Sequence, residues 1–314
     1  MTKRIVFAGS PPFAAAHLRA LLDAGTNICA VYSQPDRKTG RGHKLTPTAV
    51  KALAAERGIP VYTPSSFKDG ADVEAFRDLR PDLFIVVAYG LLLPQPILDT
   101  CPCINVHGSL LPEYRGAAPI QRALLDGRGE TGITIMKMAL RLDAGDMLVK
   151  KSLPIAKDDT TETLFEKLAV LGSRMLVENL GAILEGSITP QRQNEALATY
   201  AKKIEKDEGR IDFSRRADEI DRQVRAMIPW PVAAFSLGGE NYKVFRVRTE
   251  KTDHGHRPGE IVGAGKEGLT VACADGLVHI ITLQAPGKGQ VGAGQYAKSK
   301  SDLFRAGTVL GAEG

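Results

Sequence analysis

The sequence predicts an α/β chain, with a Rossmann-like, doubly wound and mostly parallel sheet first and a smaller C-terminal β-barrel after it. Three observations predict this. Apolar runs without alternation, such as Leu83-Phe84-Ile85-Val86-Val87-Ala88, have the character of strands covered on both faces of a parallel sheet. Such runs alternate with stretches of helical spacing, the order that βαβ units require. Beyond Trp230 the pattern changes to short alternating segments separated by glycine, the signature of a small antiparallel barrel.

Taken in order, Arg4 to Ala8 reads as the first strand, and Pro12 opens a helix through Leu22 because proline fits the first helical turn. Asn27 to Tyr32 is the second strand. A basic loop follows, and Thr46-Pro47 offers an N-cap and first-turn proline for a helix to about Arg57. Val61-Tyr62 is a short strand, and a helix near Asp72 to Asp78 leads into Leu83 to Ala88. A short helix near Pro96 precedes the strand that carries Asn105. A helix from Ala118 to Leu125, strands at Ile133 to Met138 and Met147 to Leu153, and a long amphipathic helix from Thr160 to Leu184 complete this part. Gln191 to Lys206 is polar and reads as a connection. Ala217 to Met227 has helical spacing and stops at Pro229-Trp230-Pro231, where the single tryptophan is expected to fill an interface. Five short strands follow, at Ala233 to Leu237, Tyr242 to Val247, Gly259 to Val262, Leu269 to Ala272 and Val278 to Leu283. The resulting boundaries are 1–189 for a catalytic domain, 190–207 for a linker and 208–314 for a C-terminal domain.

Composition fits an ordinary globular protein. Of its 314 residues 43% are hydrophobic and 25% charged, so two separate cores can be buried. No run offers the roughly 18 apolar residues that a membrane span needs, and Ile5 to Gly9 is too short for a signal core. The four cysteines form neither a disulfide framework nor a zinc-ligand set, which points to reduced thiols, a cytoplasmic location and no metal. Net charge is +5, with 23 basic against 21 acidic residues through Tyr200 and 18 against 15 after it. Neither half is a strongly basic body. Locally, Arg37, Lys38, Arg41, Lys44 and Lys51 are opposed only by Asp36. The first turn argues against a dinucleotide site, because Ala8-Gly9-Ser10-Pro11-Pro12 lacks the glycines that let a backbone approach a pyrophosphate.

The chemistry concentrates between Cys103 and Asp146. In Ile104-Asn105-Val106-His107-Gly108, residues two apart share a strand face, so Asn105 and His107 project side by side. Asp143 follows in the turn-rich run Arg141-Leu142-Asp143-Ala144-Gly145-Asp146. Asparagine can steady an oxyanion without titrating, histidine can carry a proton near neutral pH, and aspartate can orient it. No activated nucleophile accompanies them, since Ser109 lacks the glycine elbow of a serine hydrolase. The set suits direct acyl transfer to an amine through a tetrahedral intermediate. Singly, each residue has a plain structural use, Asp143 as a turn former above all; the combination carries the reading.

The runs INVHGSLLPEYRGAAPIQRALLDG, ETGITIM and LDAGDM resemble the folate-dependent formyltransferases. The similarity extends to IVFAGSPPFAAAHL, SQPDRKTGRGHKL, VVAYGLLLP and the PWP at Trp230, nearly the whole chain. The resemblance implies the formyltransferase fold with an OB-like C-terminal β-barrel that binds tRNA. It implies transfer from 10-formyltetrahydrofolate, with no metal, to the α-amino group of methionyl initiator tRNA by a monomer. By the same resemblance Asn105, His107 and Asp143 are the catalytic set. Ser109, Leu110, Leu111 and Pro112, with Val87, Ala88, Tyr89, Gly90, Leu91 and Leu92, form the folate slot. The loop of Arg37, Lys38, Arg41 and Lys44 meets the tRNA acceptor arm. Glu113-Tyr114, Arg141 and Ile228 depart from the usual pattern. Formyltransferases acting on a glycinamide nucleotide or an amino sugar, a formyltetrahydrofolate hydrolase or dehydrogenase module, and a non-catalytic tRNA-binding protein are the competing readings. The second domain, the basic loop, the chain length and the intact triad argue against them.

Overall fold

The computed structural model describes residues 2–39 and 44–311. It contains two compact units. The first comprises residues 1–119, 130–154 and 165–201, and the second residues 120–129, 155–164 and 202–314.

The chain begins β1 (Ile5–Gly9), α1 (Pro12–Asp23), β2 (Ile28–Tyr32), β3 (Arg37–Thr39), β4 (Lys44–Thr46), α2 (Ala49–Glu56), β5 (Val61–Tyr62), α3 (Gly70–Asp78) and β6 (Leu83–Val87). It continues with α4 (Gln95–Leu98), β7 (Cys103–His107), β8 (Arg115–Gly116), α5 (Pro119–Leu125), β9 (Glu130–Lys137), β10 (Met147–Pro154), α6 (Thr161–Glu185) and β11 (Tyr200–Ala201). Seven of these strands form one sheet in the order β10–β9–β7–β6–β1–β2–β5. Its five strands from β7 to β5 are parallel, and β9 and β10 add an antiparallel edge. The expected doubly wound sheet is therefore present.

Strand order reverses between β1 and β6, so the chain leaves their C-terminal ends in opposite directions and opens a crevice there. All five residues of β1 and of β6 are buried. On one face Val6, Ala8, Tyr32, Phe84 and Val86 pack against Val73 and Phe76 of α3 and Ile97 of α4. On the other, α1 lies so close to β1 that a Cβ at Gly9 would come within 2.5 Å of Ala14.

Two expectations shift in the first unit. Thr48, not Thr46, caps α2, its side chain accepting a hydrogen bond from the Lys51 N–H. The basic loop is a hairpin in which Arg37 faces Thr46, Lys38 faces Leu45 and Thr39 faces Lys44.

The second unit contains α7 (Ala217–Ala226), β12 (Ala233–Leu237), β13 (Glu240–Lys251), β14 (Ile261–Gly265), β15 (Gly268–Cys273), β16 (Gly276–Gln284), β17 (Gln290–Gly292) and α8 (Ala293–Ser299). It is the expected antiparallel β unit, in the order β12–β13–β16–β15–β14 with β17 also on β16. β13 runs for 12 residues, longer than the sequence suggested, with register shifts around Arg246. Such shifts bend a strand without ending it. Stacked Phe235 and Tyr242, with Phe304 edge-on to Tyr242, anchor its core. Trp230 is 54% exposed.

One buried histidine in the first unit carries a consequence for stability. His17 on α1 is fully buried, its Nδ1–H donating to the Phe13 carbonyl at 2.8 Å. Its Nε2 has no hydrogen-bond partner among the described residues and lies 2.5 Å from where a Cβ on Gly172 would be. Burial lowers its pKa to about 4, outweighing the bond to Phe13. Above the unfolded value of about 6.5 neither state binds the proton and stability is unaffected. As pH falls from there toward 4 only the unfolded chain binds it, and about 3 kcal/mol of stability is lost. His17→Phe should flatten the pH dependence of urea unfolding between pH 7 and 4.5. An unchanged slope would place the acid sensitivity elsewhere.

Candidate active site

β7 lies between β6 and β9, with Asn105 opposite Val86 on one side and Met136 on the other. Asn105 and His107 share a face of β7, as the alternation requires. His107 is 6% exposed, and its Nε2 lies 2.9 Å from the Tyr114 carbonyl. A carbonyl only accepts, so Nε2 carries the hydrogen and Nδ1 is the atom left to exchange a proton. The turn that supplies this carbonyl is itself pinned. The Ser109 hydroxyl donates to the Glu113 carbonyl at 2.6 Å, the Thr134 hydroxyl to the Ser109 carbonyl at 2.7 Å, and the Leu111 N–H to Thr134 Oγ1 at 3.1 Å.

Asp143 arrives from the loop between β9 and β10. That loop is closed by the Lys137 N–H bonding the Asp146 carbonyl, and Gly145 sits so near the Lys137 carbonyl that any Cβ would collide with it. Asp143 has φ 49°, the left-handed region that aspartate tolerates better than most residues. Its carboxylate accepts the Gly116 N–H at 2.8 Å and faces Asn105 Nδ2 at 3.5 Å and His107 Nδ1 at 3.7 Å. The three residues predicted from sequence are thus together at the end of one strand. Neutral Nδ1 and a carboxylate are both acceptors, so they attract only when a proton lies on one of them. The pair is a natural place to hold a proton taken from a substrate. The second N–H of Asn105 is free of the weak bond to Asp143 and can donate to a developing oxyanion.

The residues expected to hold folate divide into two groups. Val86 stands opposite Asn105, so residues 87–92 leave the sheet beside the triad strand. Ala88 and Gly90 are exposed and Leu91 is half-buried, while Leu92 is a leucine 79% exposed. Leu140 and Leu142, flanking Arg141 before Asp143, are 64% and 53% exposed. Apolar side chains held in water beside a polar triad fit a flat, partly apolar ligand such as a pterin ring. Val87 and Tyr89 are buried. In the SLLP turn Ser109 and Leu111 are buried, Leu111 packing on Met136 and Met147. The Ser109 hydroxyl is bonded to the Glu113 carbonyl and the Leu111 side chain lies in the core. Only Leu110 and Pro112 are partly open.

The basic hairpin lies at the C-terminal end of β2. Arg37 is exposed and its Nη2 donates to Gln34 Oε1 at 3.1 Å. Lys38 and Lys44 are on β3 and β4, and Arg41 lies outside the described residues. A cavity of about 420 Å³ opens at the β1–β6 switch point, lined by Ser10, Gln34, Arg37, Thr48, Tyr89 and Gly90 among others. It places one basic-loop residue and the 87–92 run on the same crevice. Among the described residues no cluster of three or more His, Cys, Asp or Glu is placed to hold a metal ion, and no helix is long and apolar enough to cross a membrane.

Sequence reasoning missed a second ring of residues around the site. Arg115, fully buried, donates to Gln193 Oε1 and makes a two-pronged pair with Glu195 at 2.8 and 3.1 Å. Arg141, whose departure from the usual pattern the sequence left unexplained, pairs with the same Glu195 at 2.8 Å. Hydrogen bonds from Arg115 and then Arg141 hold the Glu195 carboxyl down at about 2. Nothing in the sequence marks this ring, because Gln193 and Glu195 lie in a polar run without periodicity, 78 and 80 residues from Arg115.

Comparison with known proteins gives a consistent pattern. Residues 3–180 match the formyl transferase family model and residues 203–301 the model of the formyl transferase C-terminal domain. The chain is 50% identical over 311 residues to the methionyl-tRNA formyltransferase of Pseudomonas putida, covering 98% of this chain and 99% of that one. It is 48% identical over 311 residues to the methionyl-tRNA formyltransferase of Stutzerimonas stutzeri, covering 98% of each. In fold it resembles the N-formyltransferase of Helicobacter canadensis crystallised with folinic acid and dTDP-3-aminofucose. That likeness has a TM-score of 0.66 at 19% identity, over 88% of this chain and 98% of the other.

Proposed function

The chain belongs to the formyl transferase family, and from that membership we propose how its residues divide the work. Its activity is transfer of the formyl group of 10-formyltetrahydrofolate to the α-amino group of methionyl initiator tRNA, giving formylmethionyl-tRNA for translation initiation. The observation that carries the assignment of roles is the meeting of Asn105, His107 and Asp143 at the end of β7.

The attacking α-amine has a reference pKa of about 7.7–8.0, so part of it is already neutral at pH 7 and no strong base is required. The site needs to align amine and formyl carbon and to stabilise the adduct. As the nitrogen adds to the formyl carbon, the carbonyl electron pair moves to oxygen, and the Asn105 N–H donates to that oxyanion. His107 Nδ1, backed by Asp143, takes the proton the amine sheds and returns it toward the departing folate nitrogen as the carbon–nitrogen bond to the donor breaks. The exposed Ala88, Gly90, Leu91 and Leu92, with Leu110 and Pro112, form the donor slot, and Ser109, Leu111, Val87 and Tyr89 support it. Residues 1–189 carry the chemistry, and 208–314 bind tRNA across the 190–207 connection. The enzyme works as a cytoplasmic monomer.

A labelled formyl donor offered with methionyl initiator tRNA, methionyl elongator tRNA and small free amines tests the reading. Initiator tRNA should be formylated in strong preference. Faster formylation of a small amine would overturn it.

Arg37, Lys38, Arg41 and Lys44 form the tRNA-contacting loop. Arginine between Gly40 and Gly42 can reach phosphate or a base edge in a forked geometry that lysine cannot copy. Arg41→Ala should raise the KM for tRNA and lower turnover, leaving folate affinity alone. If Arg41 contacts phosphate, the log–log salt dependence of tRNA binding should flatten by roughly 0.7–0.9. Normal formylation by the variant at every salt concentration would remove the loop from tRNA recognition.

A further inference from the structure

Residues 191–201 are bonded across the site. Met147 and Gln191 exchange both backbone hydrogen bonds at 2.8 Å, tying the segment to the end of the Asp143 loop. Thr199 Oγ1 accepts the Tyr114 N–H at 2.8 Å, and β11 pairs with β8, tying it to the turn after His107. Between these ends lies Gln193, 4% exposed. Its Nε2 donates to the backbone carbonyls of Asp143 at 2.8 Å and Gly145 at 2.7 Å. Its Oε1 accepts from Arg115 Nε and Nη2 at 3.0 and 2.9 Å. A guanidinium only donates and a carbonyl only accepts, so the amide can point one way and both its hydrogens are committed.

The geometry points to Gln193 as a positioning residue for the proton transfer. It holds the Asp143 loop so that the carboxylate meets Gly116 N–H and His107 Nδ1, and Arg115 locks its orientation. Asp143 sits at φ 49°, a conformation that aspartate tolerates but that is still less favoured than negative φ for a residue with a Cβ. The Gln193 bond lands on the carbonyl of that same residue. Without it the backbone can relax to negative φ, which swings the carboxylate off the histidine. This inference rests on the assignment of Asp143 to the reaction made above.

Gln193→Glu separates positioning from mere support. The substituted side chain keeps a partner for Arg115, indeed a charged one, but turns an acceptor toward two carbonyls. In the full chain we expect kcat to fall by about 10- to 100-fold, the scale of an ångström-sized misplacement, with KM for both substrates little changed and the unfolding temperature retained. Gln193→Ala should lower kcat in an otherwise unaltered chain yet leave it nearly unaffected in an Asp143→Ala background, because the two act through one carboxylate. Equal fractional losses in both backgrounds, or normal kcat in Gln193→Glu, would overturn the inference. Normal turnover in Asp143→Ala alone would overturn the site assignment as well, and that single variant tells the two failures apart.

Discussion

Asn105→Ala should turn over about 10²–10³ times more slowly than the parent, the usual loss for one oxyanion donor. The structure supports so large an effect for a small truncation. Among the described residues the amide nitrogen bonds Asp143 alone, at 3.5 Å, the outer edge of a hydrogen bond. Its donor capacity is therefore uncommitted in the resting site, and removing it destabilises little. The bond that matters forms only as charge develops on the formyl oxygen. Interactions made only in the transition state lower kcat and kcat/KM together and leave ground-state binding alone. Titration with a non-reactive folate analogue should therefore give near-parental affinity beside the slowed single-turnover rate. Near-parental turnover would remove Asn105 from the mechanism.

His107→Ala and Asp143→Ala should each cost about 10²–10⁴ in turnover, the range for a lost general acid–base group, and the double variant should be little worse than either. The coupling follows from the geometry. His107 Nε2 is spent on the Tyr114 carbonyl, so the whole proton traffic of the ring passes through Nδ1, whose charged partner in the site is Asp143 at 3.7 Å. An imidazole without that carboxylate loses the group that faces its Nδ1, and a carboxylate without the imidazole has no ring to orient. Single-turnover rates of the three variants form the test. Losses that multiply would show two independent groups.

Much of this site was legible in the sequence, for identifiable reasons. Asn105 and His107 share a face because strand periodicity is two, and that needs no tertiary information. The order of apolar runs marked the parallel sheet and the helices between its strands. Asp143 was legible as a turn residue and, by its chemistry, as a group that could orient the histidine, but nothing local fixes its distance from a strand 38 residues earlier at Asn105. The burial of Ser109 and Leu111 escaped notice because the motif reads as one surface, whereas its backbone is bonded to Thr134 and the Leu111 side chain packs with Met136 and Met147. The hairpin at Arg37 escaped because its strands are three residues each, too short for alternation to show. Gln193 escaped because its partners are backbone carbonyls and a guanidinium, which leave no apolar pattern behind.

The bonding of residues 191–201 also sets where this chain can be divided. A fragment ending at residue 189 would keep Asn105, His107 and Asp143 in its covalent structure. It would still lose every bond from Gln193, Glu195 and Thr199 that aligns the two halves of the site. Arg115 would then lose its amide and carboxylate partners together. A fragment reaching Ala201 retains all of these partners, together with the backbone bond from the Ala118 N–H to the Ala201 carbonyl. The stretch 191–201, bonded at both of its ends, thus works as a sewn seam rather than a tether.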